Sequence, residues 1–211
     1  YHPLVRPALL ASLFGYTLAG ASVIFDLGRW WNFWHIFWPG YAQVNSVMFE
    51  VAVCISAYIV VMWIEFSPAF LEKLGMKDVK QKLNKLLFFF IALGVLLPSM
   101  HQSSLGSLLV IFGQQIHPLW QSGWMLPVIY LMTAILLGFA VVIFEATLSS
   151  TGFKRQLETP VLTPLAKIMY WLLAAYVALR VLDLVFRGAL GTAFAPTLEA
   201  GMFWLEMAAF V

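Results

Sequence analysis

The feature that most constrains this chain is a succession of long apolar stretches with almost no charge. Pro7 to Phe25 runs 19 residues without an Asp, Glu, Lys or Arg, close to the roughly 20 needed to cross a hydrocarbon core as a helix. Comparable runs cover about residues 45–66, 86–98, 125–148 and 161–186, and a sixth begins at 198 and reaches the last residue, 211. Backbone polar groups have no water to turn to inside lipid, so such runs must close their own hydrogen bonds as helices. The expected fold class is therefore all-α, a polytopic transmembrane helix bundle. Composition agrees: 62% of residues are hydrophobic and 10% charged, against about 25% charged in a soluble domain. No internal repeat or soluble domain is visible.

The chain opens at Tyr1 without a Met and stops at Val211 inside an apolar run. The expectation is one transmembrane helical domain over 1–211, a fragment of a longer integral membrane subunit. The single cysteine, Cys54, excludes an intrachain disulfide and a cysteine-rich cluster site.

Between the first two runs lies Trp30-Trp31-Asn32-Phe33-Trp34-His35-Ile36-Phe37-Trp38, with four of the nine tryptophans. That is too aromatic for a solvated loop and reads as a belt at the membrane interface. Orientation is set by the cations near the span ends. Arg6, Lys73, Lys77, Lys80, Lys82, Lys85, Lys154, Arg155 and Lys167 fall on one side, which makes nine; Arg29, Arg180 and Arg187 make three on the other. The cation-rich side is expected to be cytoplasmic, in a bacterial inner membrane. Asp26, the tryptophan belt and His101 then lie on the outer side.

Candidate chemistry centres on Leu97-Pro98-Ser99-Met100-His101-Gln102-Ser103-Ser104, a polar cluster that opens on a proline. Pro98 is read as breaking the third span. The plain interpretation of the residues after it is a helix end, with Ser103 and Ser104 capping the next turn. The functional one is a site with His101, Gln102 and Ser103 as hydrogen-bonding groups. Tyr16 lies ten residues from both Arg6 and Asp26, so at about 1.5 Å per residue it sits near mid-membrane, on a stripe that ends at Asp26. Glu50, Glu145 and Glu65 are candidate proton-path carboxylates, since intramembrane carboxylates are costly and mark proton or substrate routes. An interfacial carboxylate is the plainer reading of Glu65. Arg180 and Asp183 are three apart and can pair along one helix face.

The histidines bear on cofactors. A membrane b-type haem wants imidazoles from facing helices, and His2, His35, His101 and His117 all read as lying in or beside connectors. No haem is therefore expected, nor a metal site, since no two histidines share a ligand spacing. The donors around His101 suit a quinone, whose reduction takes up two protons, menaquinone being the expected type. Electrons must then come from a partner.

Several segments carry a resemblance: Tyr1-His2-Pro3-Leu4-Val5-Arg6-Pro7, Asp26-Leu27-Gly28-Arg29, Asn45-Ser46-Val47-Met48-Phe49-Glu50, Leu97 to Ser107, and His117-Pro118-Leu119-Trp120-Gln121-Ser122. Together they resemble the polysulfide-reductase membrane-subunit (NrfD-type) family, and within it the branch serving hydrogenase-2-type nickel–iron hydrogenases. The match extends to about residue 150. The resemblance implies a membrane anchor that exchanges electrons between a periplasmic iron–sulfur subunit and the quinone pool. Hydrogen chemistry is left to the hydrogenase large and small subunits. It also implies that Tyr16 and His101 belong to the quinone pocket, and that Glu50 and Glu145 belong to a proton path. Anchors of polysulfide or tetrathionate complexes, or a proton-conducting transporter module, are the alternatives.

Overall fold

The structure, a computed structural model, describes residues 2–154 and 159–210. Tyr1, Arg155 of the cation count, and Val211 at the end of the sixth expected span lie outside the described residues. The helices are α1 His2–Asp26, α2 Val47–Lys73, α3 Lys77–Ile111, α4 Leu126–Phe153, α5 Thr159–Phe186, the one-turn α6 Leu190–Ala193, and α7 Leu198–Phe210. Trp30–Ile36 winds as a 3₁₀ helix. Among the described residues there is no strand. Five segments are long and apolar enough to span a membrane: Val5–Asp26, Val47–Lys73, Lys77–Ile111, Gly123–Phe153 and Thr159–Phe186. Large apolar side chains such as Phe88, Phe89, Leu137, Phe144 and Phe186 are exposed along them, as expected where lipid is the solvent.

Local chemistry sets the helix ends. Ser46 is extended, and its Oγ accepts a hydrogen bond from the Met48 N–H at 3.2 Å, which starts α2. Gly75 turns the chain into α3 with φ +74°, a backbone conformation that L side chains rarely adopt.

The third span departs from its expected limits. Pro98 does not end it; α3 continues from Lys77 to Ile111 with Pro98 inside. A proline removes one N–H and frees the carbonyl four residues back. In a membrane helix, serine and threonine hydroxyls re-satisfy the backbone around such a site. Ser99 Oγ donates to the Val95 carbonyl at 2.7 Å. That carbonyl neighbours the one Pro98 frees, on Gly94; one helix earlier, where Pro68 lies inside α2, the freed carbonyl itself is met. Ser67 Oγ donates at 2.7 Å to Ile64, the carbonyl that Pro68 leaves free.

The chain divides into two compact units, Tyr1–Ser104 and Leu105–Val211, with the boundary inside α3. In the first, α1 packs on α2. Gly20 permits their approach, since a Cβ there would lie 2.9 Å from Ile59 Cδ1. Leu13, Val51, Cys54, Val61 and Met62 are its buried apolar residues. In the second, α4 packs on α5 around a core that includes Leu119, Ile129, Leu136, Tyr176, Leu184 and Phe203.

Candidate functional site

The site of the first unit is built where α1, α2 and α3 bring polar groups together within membrane-spanning helices. Because α3 continues past Pro98, His101 is not in a connector. It is 2% exposed inside a membrane-spanning helix. Its ring meets the ring of Tyr16 edge-on, with centroids 5.9 Å apart. Tyr16 is ten residues before the end of α1, so His101 lies about 15 Å from that end rather than at the outer face. The two expectations for this stretch, a site on the outer surface and a capped helix break, are both corrected by this one fact.

Around His101 the donors are ordered. Gln102 Nε2 lies 3.1 Å from His101 Nε2. An amide nitrogen can only donate, so with the amide placed this way His101 accepts through Nε2 and carries its proton on Nδ1. Nδ1 is buried without a hydrogen bond of ordinary geometry, and the Leu97 backbone, one helical turn back, is the group within its reach. The Gln102 side chain also hydrogen-bonds Tyr16. On the other flank of Tyr16 stands Tyr58, edge-on at 4.7 Å. Toward the start of α2, Ser104 Oγ donates to Glu50 Oε1 at 2.8 Å. Tyr16 and Gly20 help line an apolar cleft of about 390 Å³ with Ile24, Phe37, Ala52 and Ile59. Glu50 and Cys54 line a second, more open cleft of about 500 Å³ with Asn45, Ser46, Leu97 and Met100.

The structure thus brings together Tyr16, His101 and Gln102, and ties Glu50 to α3. It does not bring in Asp26, which is exposed at the end of α1. Ser103 turns its hydroxyl back onto the Met100 carbonyl at 2.9 Å. Glu65 faces α3 at Gly94, and Glu145 is half-buried on α4 in the second unit. His35 stacks on Tyr41 at 4.1 Å within the aromatic segment. Ser104, expected as a donor beside His101 or as a cap, donates to Glu50 instead, and sequence reasoning missed Tyr58. Tyr58 could have been found on the stripe of Glu50 and Glu65, since positions 50, 54, 58 and 65 share one face of α2. Among the described residues no three His, Cys, Asp or Glu side chains gather as a metal site requires.

The second unit holds a separate polar cluster. Glu206 on α7 accepts from Trp120 Nε1 at 2.7 Å and from the Tyr176 hydroxyl at 3.1 Å. The expected pairing of Arg180 with Asp183 is not made. Asp183 binds Arg187 at 2.6 Å, one helical turn on, where the longer reach of i to i+4 suits an arginine fork. Arg180, 2% exposed, donates instead to Ser122 Oγ at 2.7 Å, and its Nε has no partner.

The chain matches no protein-family model and no solved structure. It is 51% identical, over 98% of its length and 53% of the relative's, to an Escherichia coli (strain K12) protein named a probable Ni/Fe-hydrogenase 2 b-type cytochrome subunit. It is 28% identical, over 53% of its length and 28% of the relative's, to the integral membrane subunit of a menaquinone reductase from Nitratidesulfovibrio vulgaris. A second protein of that bacterium is 33% identical over 87% of this chain and 48% of its own length. The chain spans about half the length of the Escherichia coli relative and of this second Nitratidesulfovibrio protein. The expectation of no haem is overturned, because the Escherichia coli relative is named a b-type cytochrome subunit. Its premise fails as well: His101 is a buried histidine inside a span. Five apolar spans, with one relative itself named an integral membrane subunit, make the chain a multi-pass integral membrane protein, which fits the bacterial inner membrane.

Proposed function

We propose that this chain is the quinone-reactive part of a membrane anchor of the NrfD-type family, serving a nickel–iron hydrogenase of the hydrogenase-2 type. In this reading it exchanges electrons between a periplasmic iron–sulfur subunit and the quinone pool, while the hydrogenase large and small subunits carry out the hydrogen chemistry. Similarity to the named hydrogenase-2 subunit across nearly the whole chain supports the assembly, and the menaquinone reductase relative supports the acceptor. The observation that carries the site is the buried His101 with the half-buried Tyr16 and Gln102 against it, within membrane-spanning helices, beside an apolar cleft that Tyr16 itself lines. A quinone head needs donors at its carbonyls, and its tail needs an apolar wall.

The chemistry asked of these residues is modest. The Tyr16 hydroxyl and the Gln102 amide donate to quinone oxygen, and Tyr16 and His101 are the groups close enough to hand over protons as electrons arrive. Glu50, bonded to Ser104, and Glu145 serve as proton-path carboxylates. The low dielectric around the site strengthens each of these hydrogen bonds relative to water.

The name of the Escherichia coli relative also brings a b-type haem to this chain. Of the histidine side chains described, His101 is the one that is buried inside a span, and it would bind iron through its unprotonated Nε2 once the Gln102 amide turned away from it. A haem held there would supply one-electron relay chemistry, and Tyr16 and Gln102 would keep the quinone contacts.

The test uses the whole complex in membranes. Tyr16→Phe and His101→Gln are expected to cut hydrogen-dependent quinone reduction at least about tenfold, the loss of one donor to a reacting group. Dye-linked hydrogenase activity should remain. Unchanged quinone reduction in both variants would refute the assignment. A reduced-minus-oxidised haem band that disappears in His101→Ala would assign His101 to the iron.

A further inference from the structure

We propose that Glu65, together with Tyr58, is a proton-transfer station joining the Tyr16–His101 site to the lysine-rich end of the first unit. This rests on the reading of that site as the quinone site, and adds the side from which its protons come.

Glu65 is not an ordinary interfacial carboxylate. Its Oε1 is buried and has no hydrogen-bond partner. The carboxyl is pushed against α3 at Gly94, where a Cβ would fall 2.5 Å from Oε1 and 3.4 Å from Cδ. Any residue other than glycine at position 94 would occupy the space the carboxyl now fills. Gly94 is also the residue whose carbonyl loses its helical donor to Pro98, four positions on. Glu65 as a residue is half-buried, yet the enclosed oxygen has no donor, and an ionised carboxylate held that way is costly in lipid. A protonated one is far cheaper and brings a donor of its own to a segment with an acceptor to spare.

The position of Glu65 along α2 suits a relay. Glu65 and Tyr58 are seven residues apart on one face of the helix, and Tyr58 is within electrostatic reach of both Glu65 and Tyr16. The Tyr58 ring stands 4.7 Å from that of Tyr16. In the other direction Lys73, at the end of α2, is eight residues from Glu65, about 12 Å of rise. The Glu65–Tyr58 gap is about 10 Å of rise, so the relay requires a chain of waters between the two side chains.

In each pass the Glu65 carboxyl releases its proton toward the Tyr58 oxygen while the Tyr58 proton moves on to Tyr16. Tyr16 in turn gives its proton to the quinone oxygen as an electron arrives from the iron–sulfur partner. Glu65 is then reprotonated from the lysine-rich side. Only O–H bonds break and form, and two passes supply the two protons that accompany two electrons.

Two measurements on the full complex test this. Dicyclohexylcarbodiimide modifies protonated carboxyls in apolar surroundings, so peptide mass spectrometry of treated membranes should find the adduct on Glu65. In vesicles, Glu65→Gln and Tyr58→Phe should each lower kcat for hydrogen-dependent quinone reduction about tenfold, with KM for quinone unchanged and a larger solvent deuterium isotope effect. Glu65→Asp should recover part of the rate. An unlabelled Glu65, or a wild-type kcat and isotope effect in Glu65→Gln, overturns the proposal. If Tyr16→Phe is also fully active, the quinone assignment has failed, and the labelling result still decides whether Glu65 holds a proton.

Discussion

Gly106 offers the sharpest test of how the second unit is packed. A Cβ built there would lie 2.6 Å from Pro127 Cα, 2.8 Å from Pro127 N and 2.8 Å from the Leu126 carbonyl oxygen. All three are backbone atoms at the start of α4, so no side chain can rotate away. Restoring ordinary contact of about 3.5–4.0 Å means moving backbone by roughly 1 Å. Overpacking of this kind typically costs about 1–3 kcal/mol. Alanine returns up to about 1 kcal/mol through helix propensity. The net expectation for Gly106→Ala is destabilisation by up to about 3 kcal/mol. Gly138, on α4 with nothing within 4 Å of its Cβ position, is the control. Gly138→Ala should be neutral or stabilising by up to about 1 kcal/mol. Thermal unfolding of detergent-solubilised protein, monitored by loss of the monodisperse chromatographic peak, should place the two variants several degrees apart, since 1 kcal/mol corresponds to about 2–4 °C for a domain of this size. Equal midpoints would refute the close approach of residue 106 to α4.

Two smaller perturbations concern single hydrogen bonds. Ser67→Ala should destabilise by about 1 kcal/mol in the same thermal assay, because the Ile64 carbonyl would lose the hydroxyl that stands in for the Pro68 N–H; Ser67→Thr should restore it. Trp120→Phe keeps most of the aromatic contact with Phe203 but removes the indole donor from Glu206. It should cost about 1.5–3 kcal/mol, the range for hydrogen bonds to charged groups, and Tyr176→Phe should cost less because its bond is longer.

Much of this fold was legible because lipid leaves few options. A run such as 7–25, with no charge to exclude it from the membrane, can only be a helix there, and Glu50 announces itself by its setting. What was misread turned on proline. In water Pro98 would end a helix, but in the membrane the alternative to continuing is several unsatisfied backbone groups. That single error carried His101 from mid-membrane to the surface, and with it the reasoning about haem. Tyr58 was passed over because a tyrosine in an apolar run has no signature of its own; only its register with Glu50 and Glu65 marks it. Arg180 and Asp183 show a different limit: spacing permits i to i+3 and i to i+4 pairs alike, and Arg187 is favoured by the loop carbonyl of Pro118, which takes a third bond from the guanidinium that already bonds Asp183 twice, at 2.8 Å. The contact of Trp120 with Glu206, 86 residues away, leaves no local trace at all.

Arg180 carries a counterintuitive expectation. A buried guanidinium is costly because it has left water, and what it recovers must come from its acceptors. Here the described acceptor is Ser122 Oγ, while Nε has none. Removing that acceptor should therefore hurt more than removing the charge. Ser122→Ala leaves a desolvated cation without its hydrogen bond and is expected to cost about 2–3 kcal/mol. Arg180→Met keeps an unbranched stem in the core and deletes both the charge and its unmet donors, so it should cost less than about 1 kcal/mol or stabilise. With the charge gone, the serine has little left to do, and the double variant should match Arg180→Met to within about 0.5 kcal/mol, far from the sum of the two singles. Thermal midpoints of the three variants, measured at one pH and salt concentration, give the order directly. If Arg180→Met proves the more damaging single change, the arginine is held by a stronger partner than Ser122.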